Sequence, residues 1–512
     1  MPVSSLSKMA SSLRSDVFAG IVVFLVALPL CLGISSASGV DPLAGLLAGV
    51  IGGTVVALLS GSRLSVSGPA AGLVVIVVEA TELPGGFASF MTAVMIAGGL
   101  QMLFGLLRIG RLAAYVPSAV VNGMLAAIGL LLIIQQVPVA LGLHAPVPEA
   151  EALAVARVAL ANAPIGSIAV ALVSLVLLFV WSCAGVQRYR VARAIPGPLL
   201  VVLWGIAYSF VTSKYVPGFA IAPSAHIALP AIDSAGALAQ AFTLPAGSAF
   251  QNLEVWELGV TIAIVASLET LLSLAAVTRL DPRRESAPPN RELGAQGVGN
   301  MLAGMLGALP ITSVIVRSSA NVHAGASTRL AAVIHGVLLL VSLFLLVDVL
   351  NFVPLACLAA ILIHTGYKLA SPRLFMGAWQ RGAMHWIPFV ATIAGVLMTD
   401  LLIGIAIGLT ISAGIALESH RREAISMTSH GNHYLLRFHK DLSFLTKVAL
   451  ERQLASVPTH GVLIVDATQA RFIDSDIRRI LTEFVQEAPE RGIHVELRHL
   501  ELDLERVEAT AH

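Results

Sequence analysis

Apolar residues run along most of this chain in unbroken blocks, separated by short polar breaks. Eleven blocks are long enough to be helices crossing a hydrocarbon layer about 30 Å thick, which takes about 20 mostly apolar residues. They are 17–34, 43–59, 88–107, 117–135, 165–183, 195–212, 257–276, 331–350, 351–366, 385–399 and 401–417. Three further segments, 67–79, 294–309 and 312–324, are shorter or interrupted by Gly, Ser and Pro. Together they predict fourteen passes. Beyond residue 420 the pattern changes: strands at 433–439, 461–467 and 492–498 alternate with helices at 442–456 and 475–488, as in a small α/β domain.

Composition sharpens this division. Charged residues are 12% of the 512, about half the share in an ordinary soluble protein. They are unevenly placed: 35 fall in residues 1–420 and 26 in the last 92. The predicted architecture is therefore a polytopic helical membrane domain at 1–420, a polar linker at 421–430 and a cytoplasmic α/β domain at 431–512. A secreted protein, a disordered chain and a wholly soluble enzyme are excluded. The net charge of +1 comes with no basic face, so no nucleic-acid partner is expected. Cys31, Cys183 and Cys357 lie in apolar segments at spacings that fit neither disulfides nor zinc, and no metal or cofactor is expected.

Lys and Arg concentrate in cytoplasmic loops. With fourteen passes and the N-terminus inside, sixteen basic residues of the membrane domain fall on the inner side and only Arg157 and Lys214 outside. Both termini are thus expected in the cytoplasm, with the domain in the cell (inner) membrane. Arg317 fits neither side. The outer loops 138–164 and 213–252 carry His144 and His226 without clustered partners. Gly45, Gly49 and Gly53 repeat every four residues, which suits close helix packing.

Two interrupted segments occupy matching places. Ser65-Val66-Ser67-Gly68-Pro69-Ala70-Ala71-Gly72 lies in the third pass, and Leu309 to Ser319 lies in the tenth. Third of seven in both halves implies a 7+7 inverted repeat, because an odd number of passes reverses orientation. Helices that begin inside the membrane expose unpaired N–H groups, which suit a desolvated anion. Arg317 sits one turn inside the tenth segment, and Glu269 is the sole charge in the middle of the eighth. An intramembrane arginine costs about 2.5–3.5 kcal/mol unless it faces a cavity or a partner. Either the two form a static ion pair, or Arg317 is the anion's counter-charge and Glu269 a carrier of protons.

At these residues the chain resembles the SulP family of anion transporters. The likeness lies in Ala27-Leu28-Pro29-Leu30-Cys31-Leu32-Gly33-Ile34, Val66-Ser67-Gly68-Pro69-Ala70, Leu268-Glu269-Thr270, Ser313 to Ser319 and a C-terminal region resembling STAS domains. The resemblance implies a fourteen-helix inverted repeat, with core and gate domains, that usually forms a homodimer. It places the anion between the starts of helices 3 and 10, at Gly68, Pro69, Ala70, Ser313, Val314 and Arg317, with Ala27, Leu30 and Ile34 as an apolar wall from helix 1. A related cyanobacterial bicarbonate carrier uses an aspartate on helix 8 and a hydroxyl on helix 10 for sodium. Glu269 and Ile315 stand there in this chain, which favours H+ over sodium. Sulfate and bicarbonate are the expected substrates. A dicarboxylate or chloride carrier, or an anion sensor signalling through the tail, is the alternative. Ser475, in Phe472-Ile473-Asp474-Ser475-Asp476, aligns with a phosphorylated serine of STAS regulators, although the loop reads equally as a helix cap.

Overall fold

The computed structural model describes residues 3–81, 84–111, 116–143, 164–189, 195–230, 242–281, 283, 285, 287–399, 401–419 and 425–500. Most of the first outer loop, with His144 and Arg157, and residues 420–424 of the connector lie outside the described residues. The chain divides into two units, one of residues 1–113 and 128–370 and one of 114–127 and 371–512.

In the first unit the helices are α1 (Val3–Ala37), α2 (Pro42–Ile51), α3 (Val74–Ala80), α4 (Gly86–Leu106), the latter part of α5 (Ser118–Ala140), α6 (Ile165–Trp181), α7 (Gly197–Tyr215), α8 (Leu253–Leu280), α9 (Pro289–Leu306), α10 (Ile315–His323), α11 (Leu330–Leu345) and α12 (Leu355–Leu369). Among the described residues of the whole chain, seven helices are long and apolar enough to cross a membrane, and five apolar helices are shorter. Local chemistry sets several boundaries. Asp41 caps α2 by accepting from the Leu43 N–H at 2.8 Å, with Pro42 following at the first helical position. Gly307, at φ +75°, ends α9 in the left-handed conformation that glycine adopts most easily.

Small residues let the helix backbones meet. A Cβ at Gly45 would collide with the Cys31 carbonyl of α1, and Gly98 of α4 and Gly297 of α9 each abut backbone atoms of the other helix. The expected span at 43–59 is not one regular helix, since Gly52–Val56 forms a π turn. There the backbone presses on its neighbours: a Cβ at Gly52 would lie 2.5 Å from the Ser67 carbonyl oxygen. Such turns often mark functional sites.

The two interrupted segments were expected as helix starts, but each first runs as a short strand. β1 (Ser67–Pro69) and β2 (Ile311–Ser313) pair antiparallel, with Ser67 opposite Ser313, Gly68 opposite Thr312 and Pro69 opposite Ile311. This ribbon satisfies backbone groups that a bare break inside a helix bundle would leave unpaired. After β1 the chain makes a 3-10 turn at Ala71–Leu73 and enters α3; after β2, Val314 leads into α10.

The second unit contains the first turns of α5, then α13 (Pro372–Gln380), α14 (Ala383–Met398) and α15 (Leu401–Ser419), followed by a sheet of order β3-β4-β5-β6 with two helices. Its strands are β3 (Ile425–His430), β4 (His433–Phe438), β5 (Val462–Asp466) and β6 (His494–Arg498); its helices are α16 (Lys447–Ala455) and α17 (Ser475–Glu487). β3 pairs antiparallel with β4, whereas β4–β5 and β5–β6 are parallel. Leu436, Phe438, Leu463, Val465, Leu450, Ile477 and Leu481 form its core. The boundary at 430 is corrected: 425–430, expected as linker, is strand β3. An edge strand with one face in water carries polar residues, so Ile-Ser-Met-Thr-Ser-His reads like a connector.

Candidate functional site

The ribbon, the starts of α3 and α10, and the middle of α8 lie in the first unit and form one buried polar centre. Val314 N–H donates to the Val66 carbonyl at 2.9 Å, and the Ser318 hydroxyl accepts from Val66 N–H at 2.9 Å. Asn321 Nδ2 donates to the Leu64 carbonyl at 2.9 Å, so α10 fixes the approach to β1 over its whole length.

Arg317 projects from the first turn of α10 and is 0% exposed. Nε, Nη1 and Nη2 have no hydrogen-bond partner. A buried guanidinium without an acceptor costs about 3–5 kcal/mol relative to a paired one. A Cβ at position 68 would run into Nη1 of Arg317, so a larger residue there would displace the guanidinium. A Cβ at Gly49 would come within 3.9 Å of the same nitrogen and 2.7 Å of Cys31 Sγ.

Glu269, on α8, has different neighbours. A Cβ at Gly72 would lie 3.2 Å from its Oε2, and Thr312 lies beside the carboxyl. Oε2 is buried without a partner, as are the Thr312 and Ser313 hydroxyls. Next to Glu269, Thr270 Oγ1 accepts from the Ser313 N–H at 3.2 Å. The static Glu269–Arg317 pair is therefore not formed among the described residues, since Oε2 of Glu269 and the guanidinium nitrogens of Arg317 do not bond each other.

Of the other expected site residues, Gly68 and Pro69 lie in β1, Ala70 precedes the 3-10 turn, Ser313 ends β2 and Val314 caps α10. Ala27, Leu30 and Ile34 are all buried on α1, which packs on β1 and α10. The α1 group beside the guanidinium is Cys31. Ser475 begins α17 with its hydroxyl buried and unpartnered, while Asp474 caps that helix by accepting from the Asp476 N–H at 2.8 Å.

A model described as "Sulfate permease family" matches residues 13–392. This chain belongs to the sulfate permease family. The family consists of membrane transporters, not enzymes. "Bicarbonate transporter BicA" of Picosynechococcus is 24% identical over 80% of this chain and 70% of its own length. "Sodium-independent sulfate anion transporter" of Bos taurus is 25% identical over 97% of this chain and 85% of its own. Of solved structures, "The overall structure of SLC26A9" matches with a TM-score of 0.68 at 17% identity, covering 100% of this chain and 89% of that one. That likeness shows the fold.

In this sulfate permease family member, sequence reasoning overlooked two features. The first is a ladder on α9: Glu292, Gln296 and Asn300 recur every four residues, share one helix face and are all fully buried. Ser60 Oγ donates to Glu292 Oε2 at 2.5 Å, Gln296 Nε2 donates to Ser67 Oγ at 2.7 Å, and Asn300 grips Ile311 at both ends. Its Oδ1 accepts from the Ile311 N–H at 2.6 Å and its Nδ2 donates to the Ile311 carbonyl at 3.0 Å. Asn300 Nδ2 also donates to Gln101 Oε1 on α4 at 2.6 Å. One helix face thus holds the start of both strands. The four-residue spacing was available as a signal. It was hidden because Glu292 fell just outside the apolar window that began at 294.

The second feature is His335 on α11, which is fully buried. Nothing in the surrounding sequence, Ala332-Val333-Ile334-His335-Gly336-Val337, marks it apart from a packed core histidine.

Proposed function

We propose that this chain is a secondary active transporter of a small oxyanion, sulfate or bicarbonate, that binds between the starts of α3 and α10. The observation that carries the reading is Arg317: a fully buried guanidinium with three unbonded nitrogens, one turn from a helix start inside an apolar body. An oxyanion supplies the acceptors it lacks, and its charge suits the free N–H groups of the helix starts. Gly68, Pro69, Ala70, Ser313 and Val314 would line the site, and Ala27, Leu30 and Ile34 form its apolar wall. The names of the bicarbonate and sulfate relatives point to the same substrate class.

Glu269 is the coupling group in this reading. Its partnerless oxygen and the neighbouring hydroxyls give a proton a place to reside, whereas Ile315 offers no oxygen to a sodium ion. The wider arrangement proposed is fourteen passes in a 7+7 inverted repeat, both termini in the cytoplasm of an inner-membrane homodimer, and residues from β3 onward acting as a STAS domain. In that domain the capping geometry at Asp474 favours a structural role for the Ser475 loop.

The decisive experiment is uptake of labelled sulfate and bicarbonate into proteoliposomes at pH 5.5 and 7.5, with and without sodium. Saturable uptake by the wild type and its loss in Arg317→Glu are expected. Normal saturable uptake by Arg317→Glu would sink the site assignment.

A further inference from the structure

Helix α8 carries five hydroxyl side chains, Thr261, Ser267, Thr270, Ser273 and Thr278, and they differ in what they bond. Thr261 and Thr278 donate to the carbonyls four residues back, of Glu257 and Leu274, both at 2.9 Å. Ser267 accepts from Gln101 Nε2 at 3.3 Å, and Thr270 accepts from the Ser313 N–H at 3.2 Å. Ser273 is 0% exposed, and its Oγ bonds none of the described residues. A buried helix hydroxyl commonly turns back to the preceding turn's carbonyl. This one does not.

Its position gives that freedom a use. Ser273 stands one turn along α8 from Glu269, whose Oε2 is likewise buried and unpartnered. The same four-residue steps continue through Val277 to Asp281, and Ser273, Val277 and Asp281 are all buried, so this ridge of α8 faces inward. Each step advances about 6 Å along the helix axis. Past Ser273 the ridge meets a polar cavity lined by Ser62, Arg63, Val277, Thr278, Asp281 and Glu285. There Arg63 Nη2 lies 2.8 Å from Glu285 Oε2 and 3.6 Å from Asp281 Oδ2, with the Glu285 side chain 58% exposed. The cavity thus reaches water at the end of α8 expected in the cytoplasm. Two carboxylates against one guanidinium leave its mouth with excess negative charge, which draws protons.

We infer that Ser273 relays the proton between Glu269 and the cytoplasmic cavity. This role presupposes the proposed coupling by Glu269. A step of about 6 Å exceeds a direct hydrogen bond, so a water molecule spans each gap. The proton leaving the Glu269 carboxyl passes through one water to Ser273 Oγ, while the hydroxyl's own proton passes to water in the cavity. One O–H bond forms at the serine and one breaks, so the serine ends unchanged and one proton reaches the cytoplasm. A hydroxyl serves because it accepts and donates at once. Donation to a backbone carbonyl, as by Thr261 and Thr278, would occupy the proton that has to move on.

Two transport modes of the full-length protein in proteoliposomes separate proton release from anion handling. Net uptake of labelled sulfate, and separately of labelled bicarbonate, is driven by pH 5.5 outside against 7.5 inside and requires a proton to leave on every cycle. Exchange of labelled for unlabelled anion at pH 5.5 on both sides lets the carrier cycle with its proton in place. Ser273→Ala should slow net uptake by about tenfold or more, as loss of a positioned proton-transfer group does, and leave exchange within about twofold of the wild type. Preserved exchange also reports a folded protein.

Ser267→Ala is the control, a buried serine of the same helix that lies off the ridge and bonds Gln101. It should change both modes together or neither. Wild-type net uptake by Ser273→Ala, equal loss of both modes, or the same selective loss in Ser267→Ala would each overturn the relay. These outcomes differ from failure of the coupling reading itself, in which the wild type shows no acid-driven uptake of either anion and the relay falls with it.

Discussion

Replacing Asn300 by leucine tests the α9 ladder at its most heavily bonded rung. The two side chains are similar in size, so the change removes hydrogen bonds without opening a space for water. Three contacts disappear: those with the Ile311 N–H at 2.6 Å, the Ile311 carbonyl at 3.0 Å and Gln101 Oε1 at 2.6 Å. Asn300 and Gln101 are fully buried, and Ile311 is 0% exposed, so the abandoned groups cannot turn to solvent. Each buried group left unsatisfied costs about 1–3 kcal/mol, for a total of about 3–6 kcal/mol after some relaxation. At about 2 °C per kcal/mol, suited to a large body, the midpoint should fall by about 6–12 °C. Scanning fluorimetry in detergent at one fixed heating rate reads this, since unfolding of such a protein is rate-dependent. Asn300→Asp keeps the acceptor for the Ile311 N–H but turns both donors into acceptors, so it should also destabilise. A midpoint within 1 °C of the wild type for Asn300→Leu would refute the claim that this residue holds β2.

Three further outcomes follow from the same structure. Glu269→Gln should remove acid stimulation of uptake before it removes anion binding, and unchanged stimulation at pH 5.5 relative to 7.5 would refute the proton role. Deleting 421–512 should leave measurable uptake, because the residues of the proposed anion site lie wholly in the first unit; complete loss in a folded, membrane-inserted protein favours the sensor reading. Burial pushes the Asp474 carboxyl up to about 6, against an ordinary value of 3.8. The native state then holds its proton more tightly than the unfolded state does. Asp474 therefore contributes stability below pH 3.8 that is lost as the pH rises through about 6, a difference of about 3 kcal/mol. Asp474→Asn keeps a capping oxygen and should flatten that part of the profile of thermal midpoint against pH; an unaltered slope between pH 4 and 6 would count against it.

Arg317 was legible in the sequence because nothing else in the apolar blocks resembled it, and a lone charge in such a block has few explanations. Its partner was less legible. The sequence left open a pair with Glu269, since both are charges of opposite sign within apolar segments. The structure instead sets the guanidinium beside Gly68, Gly49 and Cys31. Side-chain direction across a ribbon cannot be deduced from linear position, and the strands themselves were invisible as three-residue elements, one holding Gly68 and Pro69 and the other following Pro310. β3 was missed for a related reason, since its outer face is polar. The α9 ladder could have been found from spacing alone. Windows chosen for mean apolarity discard the polar positions that a buried face needs, and Glu292, Gln296 and Asn300 were smoothed away.

That ladder has a thermodynamic corollary. Ser60, Ser67 and Ile311 are all bonded to one face of α9, which in the proposed carrier would keep the gap between the two helix starts fixed whichever way the site faces. A binding site of constant dimensions has the same intrinsic affinity on both sides of the membrane. In the proposed carrier, net flux would then be dictated by the gradients of anion and proton, and the same molecule would run as readily backward as forward.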